Sequence, residues 1–414
     1  MSPADLRSGG ARAVARCDEL GVMPYSDMEG GLFRAYLTPA YAASQEALAS
    51  WMTQAGMTVR RDAAANLIGR YDGDGPGSAA LVIGSHLDSV RDGGRYDGPL
   101  GIMLGIECVA SLNAQDKRMP FAIEVYAFGD EEGSRFPAAM LTSRAVAGTL
   151  GAAALNITDA DGITLDSALA AGTADYLGAV RQPGSTLAYL EAHIEQGPVL
   201  EADGLAVGTV TGIAAQLRYA VTVKGMAGHA GTTAMRLRRD PLAGTAAMIL
   251  AVEQLARGDN SDVVATVGSI EAMPGAANVI PGEVHFTIDV RSGMGSRRDR
   301  VAEAILARLA EIASARDLVI LTERIHDLPA SPCDPVLMDM MDDALIAAGQ
   351  PVCRLVSGAG HDAMNMAALC PTAMLFIRCK DGISHNPAEH VDPEDAEIAL
   401  QVMLGFIERL GARM

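Results

Sequence analysis

Two periodicities alternate along this chain. Residues 79–83, 121–129, 187–191 and 372–378 are short, nearly unbroken apolar runs bounded by polar or Gly-rich turns, the pattern of strands buried on both faces. Between them, 45–55, 100–112 and 140–147 carry helical patterns. Alternating strands and helices from 38 to about 209 predict an α/β domain. From 216 the order changes to strand 216–224, helix 241–255, strands 262–270 and 283–290, helix 298–312 and strand 318–323. That β-α-β-β-α-β order predicts a ferredoxin-like α+β unit. Asp240-Pro241 reads as an N-cap followed by proline at the first helical position. A helix at 335–348 and the strand at 372–378 then resume the first pattern. The expected organisation is a discontinuous domain, 1–211 and 327–414, carrying an insert at 212–326.

The chemistry-bearing residues fall where the apolar strands end. His86 and Asp88 close the first run, and Gly93-Gly94-Arg95-Tyr96-Asp97-Gly98 follows a short loop later. Asp130-Glu131-Glu132 follows 121–129, His193 follows 187–191, and a loop after 372–378 carries His385. In open α/β sheets, sites form at the carboxyl ends of strands. Imidazole and carboxylate suit divalent cations, and no cysteine pair with zinc spacing competes. Each residue alone is more readily a hydrogen-bonded rim residue or a solvated turn. Their recurrence at the ends of strands of one sheet points instead to metal binding. His86, Asp97, Glu132, His193 and His385 are expected to serve two ions, with one carboxylate as the bridge.

Composition narrows the partners. A formal charge of −19 with no basic face argues against nucleic acid and anionic membranes. With 49% hydrophobic but only 4% aromatic residues, aliphatic side chains and 21 methionines must fill the core. The stretch Met1 to Arg7 lacks a signal-peptide apolar core, and no apolar run reaches the ~18 residues of a membrane span, so a cytoplasmic location is expected. Cys17, Cys108, Cys333, Cys353, Cys370 and Cys379 lack framework spacing and read as reduced thiols. The acidic, Gly-rich 71–77 stretch lacks EF-hand spacing and reads as a surface turn. Arg236-Leu237-Arg238-Arg239 reads as a solvated loop, and His285, His326 and His390 as structural or exposed.

The motifs already met, together with Glu131-Glu132-Gly133-Ser134-Arg135-Phe136, His193-Ile194-Glu195-Gln196-Gly197-Pro198, Gly228-His229-Ala230-Gly231, Asp289-Val290-Arg291-Ser292, Gly358-Ala359-Gly360-His361-Asp362 and Ser384-His385, occur in order along nearly the whole chain. In this the chain resembles the M20 metallo-amidohydrolases, in the branch of allantoate amidohydrolases, N-carbamoyl-L-amino-acid hydrolases and β-ureidopropionases. The resemblance implies a mixed-sheet, zinc-peptidase-like catalytic domain with helices on both faces, and an inserted ferredoxin-like lid that also pairs subunits into a homodimer. It implies that Asp97 bridges two divalent ions (zinc or manganese, with cobalt or nickel also suited), one completed by His86 and His193, the other by Glu132 and His385. Glu131 is then the general base, and the carboxylate of Asp88 fixes the tautomer of His86. Arg291 is implied as the partner of a substrate carboxylate and His229 as the oxyanion donor. Gln196, Asn278, Gly360 and His361 are implied as further substrate contacts. The expected reaction is hydrolysis of a ureido C–N bond on a small acid, with allantoate the favoured substrate, partly because of Ser134-Arg135-Phe136-Pro137. N-carbamoyl-L-amino acids, or β-ureidopropionate, come second. A dipeptidase and a non-catalytic binding protein are the more distant alternatives.

Overall fold

The computed structural model describes residues 9–75 and 78–414. Met1 to Arg7 and the last two residues of the Gly-rich turn, Pro76 and Gly77, lie outside the described residues. The chain divides into two compact units: Met1–Thr211 with Cys333–Leu355 and Gly360–Met414, and Gly212–Pro332 with Val356–Ala359.

In the first unit four strands run parallel, in the order Ala122–Phe128, Ala80–His86, Thr186–Ile194 and Thr372–Ile377. Every residue of three of them is buried, as is all but the start of Thr186–Ile194, which explains their unbroken apolar text. Antiparallel strands flank this set: Leu67–Tyr71 and then Thr58–Arg61 on one side, Val207–Ile213 on the other. The sheet is therefore mixed, as expected. Helix Pro99–Ala114 packs on the three strands nearest it, and it in turn supports Gly9–Leu20 and Pro393–Ala412. Glu107 of the first helix is bound by Arg12 and Arg16 of the second. The expected helices at 45–55, 140–147 and 335–348 are Pro39–Gln54, Leu141–Ala147 and Pro335–Ala347. Thr38 and Asp334 cap the first and last of these with their side-chain oxygens.

The second unit is an antiparallel sheet in the order Ile270–Met273, Glu283–Ser292, Ala215–Lys224 and Val319–Leu328. Helices Pro241–Gly258 and Gly295–Ala315 pack on it around Val221, Val223, Phe286, Ile288, Ile305 and Leu309. Asp240 caps the first helix through the amides of Leu242 and Ala243, as its sequence predicts. This is the ferredoxin-like unit, with two corrections. The strand expected at 262–270 is two, Val264–Thr266 and Ile270–Met273, both paired with Glu283–Ser292. Gly268 lies in the break between them, where a side chain is missing and the ladder is interrupted. The second boundary lies at Pro332, beyond the expected 326, because Val319–Leu328 runs farther than its apolar text and Ser331–Pro332 pairs with Gly212 and Ile213.

Candidate metal centre

The parallel strands set the site. Their carboxyl ends lie side by side, so His86, the Glu131-Glu132 turn, His193 and the His385 loop arrive from neighbouring strands. Asp97 arrives from the turn before helix Pro99–Ala114, and Gly98 makes that approach possible. Its φ is +86°, and a Cβ there would lie 2.4 Å from the His86 carbonyl oxygen and 2.6 Å from its Nδ1.

The two oxygens of Asp97 face different donor sets. Oδ1 lies 3.6 Å from His86 Nε2 and 3.2 Å from His193 Nε2. Oδ2 lies 3.2 Å from His385 Nε2, which is 3.4 Å from Glu132 Oε1. His86-Asp97-His193 and Asp97-Glu132-His385 are thus two clusters of metal-ligand spacing that share one carboxylate. His86 Nδ1 lies 2.9 Å from the main-chain carbonyl of Asp88, and His193 Nδ1 lies 2.9 Å from that of Ile194. A carbonyl only accepts, so each Nδ1 carries a proton, which leaves Nε2 as the atom available to a metal ion. Those two Nε2 atoms are 3.4 Å apart. Two imidazole nitrogens converging this closely beside a buried carboxylate make a donor set that fits a metal ion. Burial alone would raise the pKa of Asp97, but His193, His385 and His86 outweigh it and hold the carboxyl well below its usual range.

Asp88 departs from expectation. Its carbonyl, not its carboxylate, orients His86; the carboxylate accepts the main-chain N–H groups of Glu131 and Glu132, each at 3.2 Å. One buried residue thereby places His86 and the two acids beside it. Glu131 is buried, which pushes its carboxyl well above the ordinary range; His86 opposes this, while Asp362, Glu132 and Asp88 add to it. Glu131 and Glu132 both lie within ligand spacing of His86.

Gln196 sits at φ +55°, and its Nε2 donates to both Asp97 oxygens (3.0 and 3.2 Å) and to Ser384 Oγ (3.1 Å). Ser384 donates in turn to Asp97 Oδ2 at 2.7 Å. The amide expected to contact substrate is therefore turned onto Asp97, with its Oε1 buried and unpartnered. His361 is buried with its ring centroid 4.4 Å from that of His193, and burial, with His193 beside it, lowers its pKa well below the ordinary value. Gly360 leaves room for Met140, whose Cε a Cβ would meet at 2.6 Å.

Three expected substrate residues belong to the second unit. His229 lies in a two-residue ribbon opposite Val279, next to Asn278, whose carbonyl accepts the amide of Ala230 at 2.9 Å. Arg291 is bound by Asp289 (2.8 and 3.0 Å), which also accepts from Arg218 and Gln216. Sequence reasoning missed Ser384, Glu389 and Glu191. Glu191 was legible, since it lies two residues before His193 on the same strand and so on the same face.

The profile of peptidase family M20/M25/M40 matches residues 82–409. The chain belongs to this family. Within the M20 family it is 42% identical over 404 residues to an N-carbamoyl-L-amino acid amidohydrolase of Geobacillus stearothermophilus, covering 97% of this chain and 98% of that one. It is 39% identical over 429 residues to an allantoate deiminase of Arabidopsis thaliana, covering 96% and 81%. A crystal structure of a hydantoinase/carbamoylase family amidase from Burkholderia multivorans matches it with a TM-score of 0.90 and 34% identity, over 98% of this chain and 99% of that one.

Proposed function

We propose that this M20-family protein is a dinuclear metal-dependent amidohydrolase that cleaves the C–N bond of a ureido group on a small carboxylic acid, releasing ammonia and carbon dioxide. The observation that carries the reading is the pair of donor clusters sharing Asp97. The relatives named for N-carbamoyl-L-amino acids and allantoate support the substrate class. His86, His193 and Asp97 would hold one ion, and Asp97, Glu132 and His385 the other. When bound, such ions polarise a carbonyl and bring the pKa of a water toward neutrality.

The chain's own residues do the rest. The Glu131 carboxylate takes a proton from the attacking water and delivers it to the leaving nitrogen, a task suited to a buried acid of raised pKa. Asp88 holds Glu131 in place by its main chain. Arg291, oriented by Asp289, is the partner of the substrate carboxylate, and His229 the donor to the oxyanion, with Asn278, Gln196, Gly360 and His361 as further contacts.

Allantoate is the first substrate reading. The Ser134–Pro137 text supports it less than expected, because Arg135 binds Asp159 and the Tyr36 carbonyl, Ser134 binds the Ser89 carbonyl, and Phe136 is buried. N-carbamoyl-L-amino acids are the second reading, favoured by the relative that matches almost end to end. Ammonia release by chelator-stripped protein, with zinc, manganese, cobalt or nickel added back in turn, tests both. We expect no turnover without metal, and the order of kcat/KM for allantoate, N-carbamoyl-L-alanine and β-ureidopropionate selects the substrate. Turnover that ignores metal removal, or of a dipeptide alone, would defeat the proposal. Among the described residues no helix is long and apolar enough to cross a membrane. The six free cysteines support a cytoplasmic location.

A further inference from the structure

We infer that Glu389 is a positioning residue that fixes the backbone of the bridging Asp97, and that it works as a hydrogen-bond acceptor. The inference rests on the metal reading above for its catalytic meaning, and on geometry alone for the tie itself. Glu389 is 5% exposed, and its Oε1 accepts two successive main-chain N–H groups, from Tyr96 at 2.8 Å and Asp97 at 3.1 Å. The second donor is the amide of the very residue whose two oxygens must face two separate donor sets. A small rotation of that backbone would move both oxygens together.

The socket for this carboxylate is built into the Gly93-Gly94 turn. A Cβ at Gly94 would lie 2.0 Å from Glu389 Cδ and 2.2 Å from each of its oxygens, so only glycine leaves the space that the carboxylate fills. Glu389 stands four residues after His385, and its own amide donates to the Asn386 carbonyl at 3.0 Å. One side chain therefore joins the loop that presents His385 to the loop that presents Asp97. Its other oxygen, Oε2, is buried with no partner. A buried acceptor without a partner costs stability and is retained where position matters more.

Three variants test this: Glu389→Ala, which removes the acceptor; Glu389→Gln, which keeps a carbonyl oxygen in its place; and Gly94→Ala, which fills the socket. Two measurements apply to each. Zinc is titrated into stripped protein against a chromophoric chelator, and amide hydrogen exchange at Tyr96 and Asp97 is followed in the stripped protein. We expect Glu389→Ala and Gly94→Ala to lose about 10–100-fold in zinc affinity and to exchange faster at both amides. Glu389→Gln should keep both properties near those of the unaltered protein, a rescue that loss of a buried charge would not allow. Should Glu389→Ala fail to fold, Gly94→Ala carries the same comparison. Unchanged affinity and exchange in Glu389→Ala and Gly94→Ala, or a Gln variant as impaired as the Ala one, would overturn the inference. If the unaltered protein takes up no zinc while exchange still responds to Glu389, the metal reading fails and the tie stands.

Discussion

At the residue scale, chemistry in this protein depends on which atom of each side chain is left facing inward. His86 and His193 bind carbonyls through Nδ1 and so present Nε2. Asp97 is divided between two clusters, and Gln196 and Ser384 steady it from outside them. On the proposed function, Glu131 is the acid of the group with a task beyond holding an ion. Glu131→Gln preserves shape and the main-chain bonds to Asp88 but cannot take a proton. Its kcat should fall about 10²–10⁴-fold with zinc uptake unchanged. Steady-state kinetics on the best ureido acid, beside a zinc titration, checks this; a variant retaining most of kcat would assign the base to another residue.

Elements convert these choices into a fixed arrangement. Four parallel strands bring the five candidate ligands from distant text to one edge, and the flanking strand Leu67–Tyr71 is locked to them by side chains as well as by its ladder. Glu124 on Ala122–Phe128 is bound by Arg70 of the neighbouring strand Leu67–Tyr71 and by Arg181. Burial alone would raise the Glu124 carboxyl; Arg181 and Arg70 outweigh it and hold the pKa below its ordinary value. A carboxyl depressed in the folded state adds stability that is complete above its unfolded pKa and is lost as pH falls through the folded one. Glu124→Gln should therefore be less stable than the unaltered protein at neutral pH, and the difference should shrink on the acid side of the usual carboxylate range. Urea unfolding at several pH values measures it, and a pH-independent difference would contradict the ion-pair account.

For the whole molecule, the strand Val319–Leu328 raises the question of partners. It ends its sheet, pairing on one side only among the described residues, and Val319, Leu321 and Ile325 are all about half exposed. An open edge of this length with three exposed aliphatic side chains invites a second strand. A homodimer formed through the 212–326 unit, as the family resemblance implies, would cover it. Light scattering should give twice the mass of the 43.0 kDa chain, and Leu321→Glu with Ile325→Glu should return the monomer. A fully active monomer of the unaltered protein would refute the dimer.

Much was settled by the sequence itself, because the signals were local. Unbroken apolar runs marked strands buried on both faces, the change of order at 216 marked the second unit, and the position of each imidazole and acid after a strand marked the residues that the fold gathers into two clusters. The short strands Thr58–Arg61 and Leu67–Tyr71 were not legible, since tertiary pairing and not a clean periodicity selects them; Gly9–Leu20 and Pro393–Ala412 bury residues at helical spacing and were legible, though no helix was expected there. Tertiary structure alone decided how the strand ends line up, that Asp97 shows one oxygen to each cluster, that Asp88 works through its carbonyl, and that Glu389 reaches Asp97 across nearly three hundred residues. Hydrogen-bond direction and the register between distant strands are properties of folded neighbours, and no spacing along the chain encodes them.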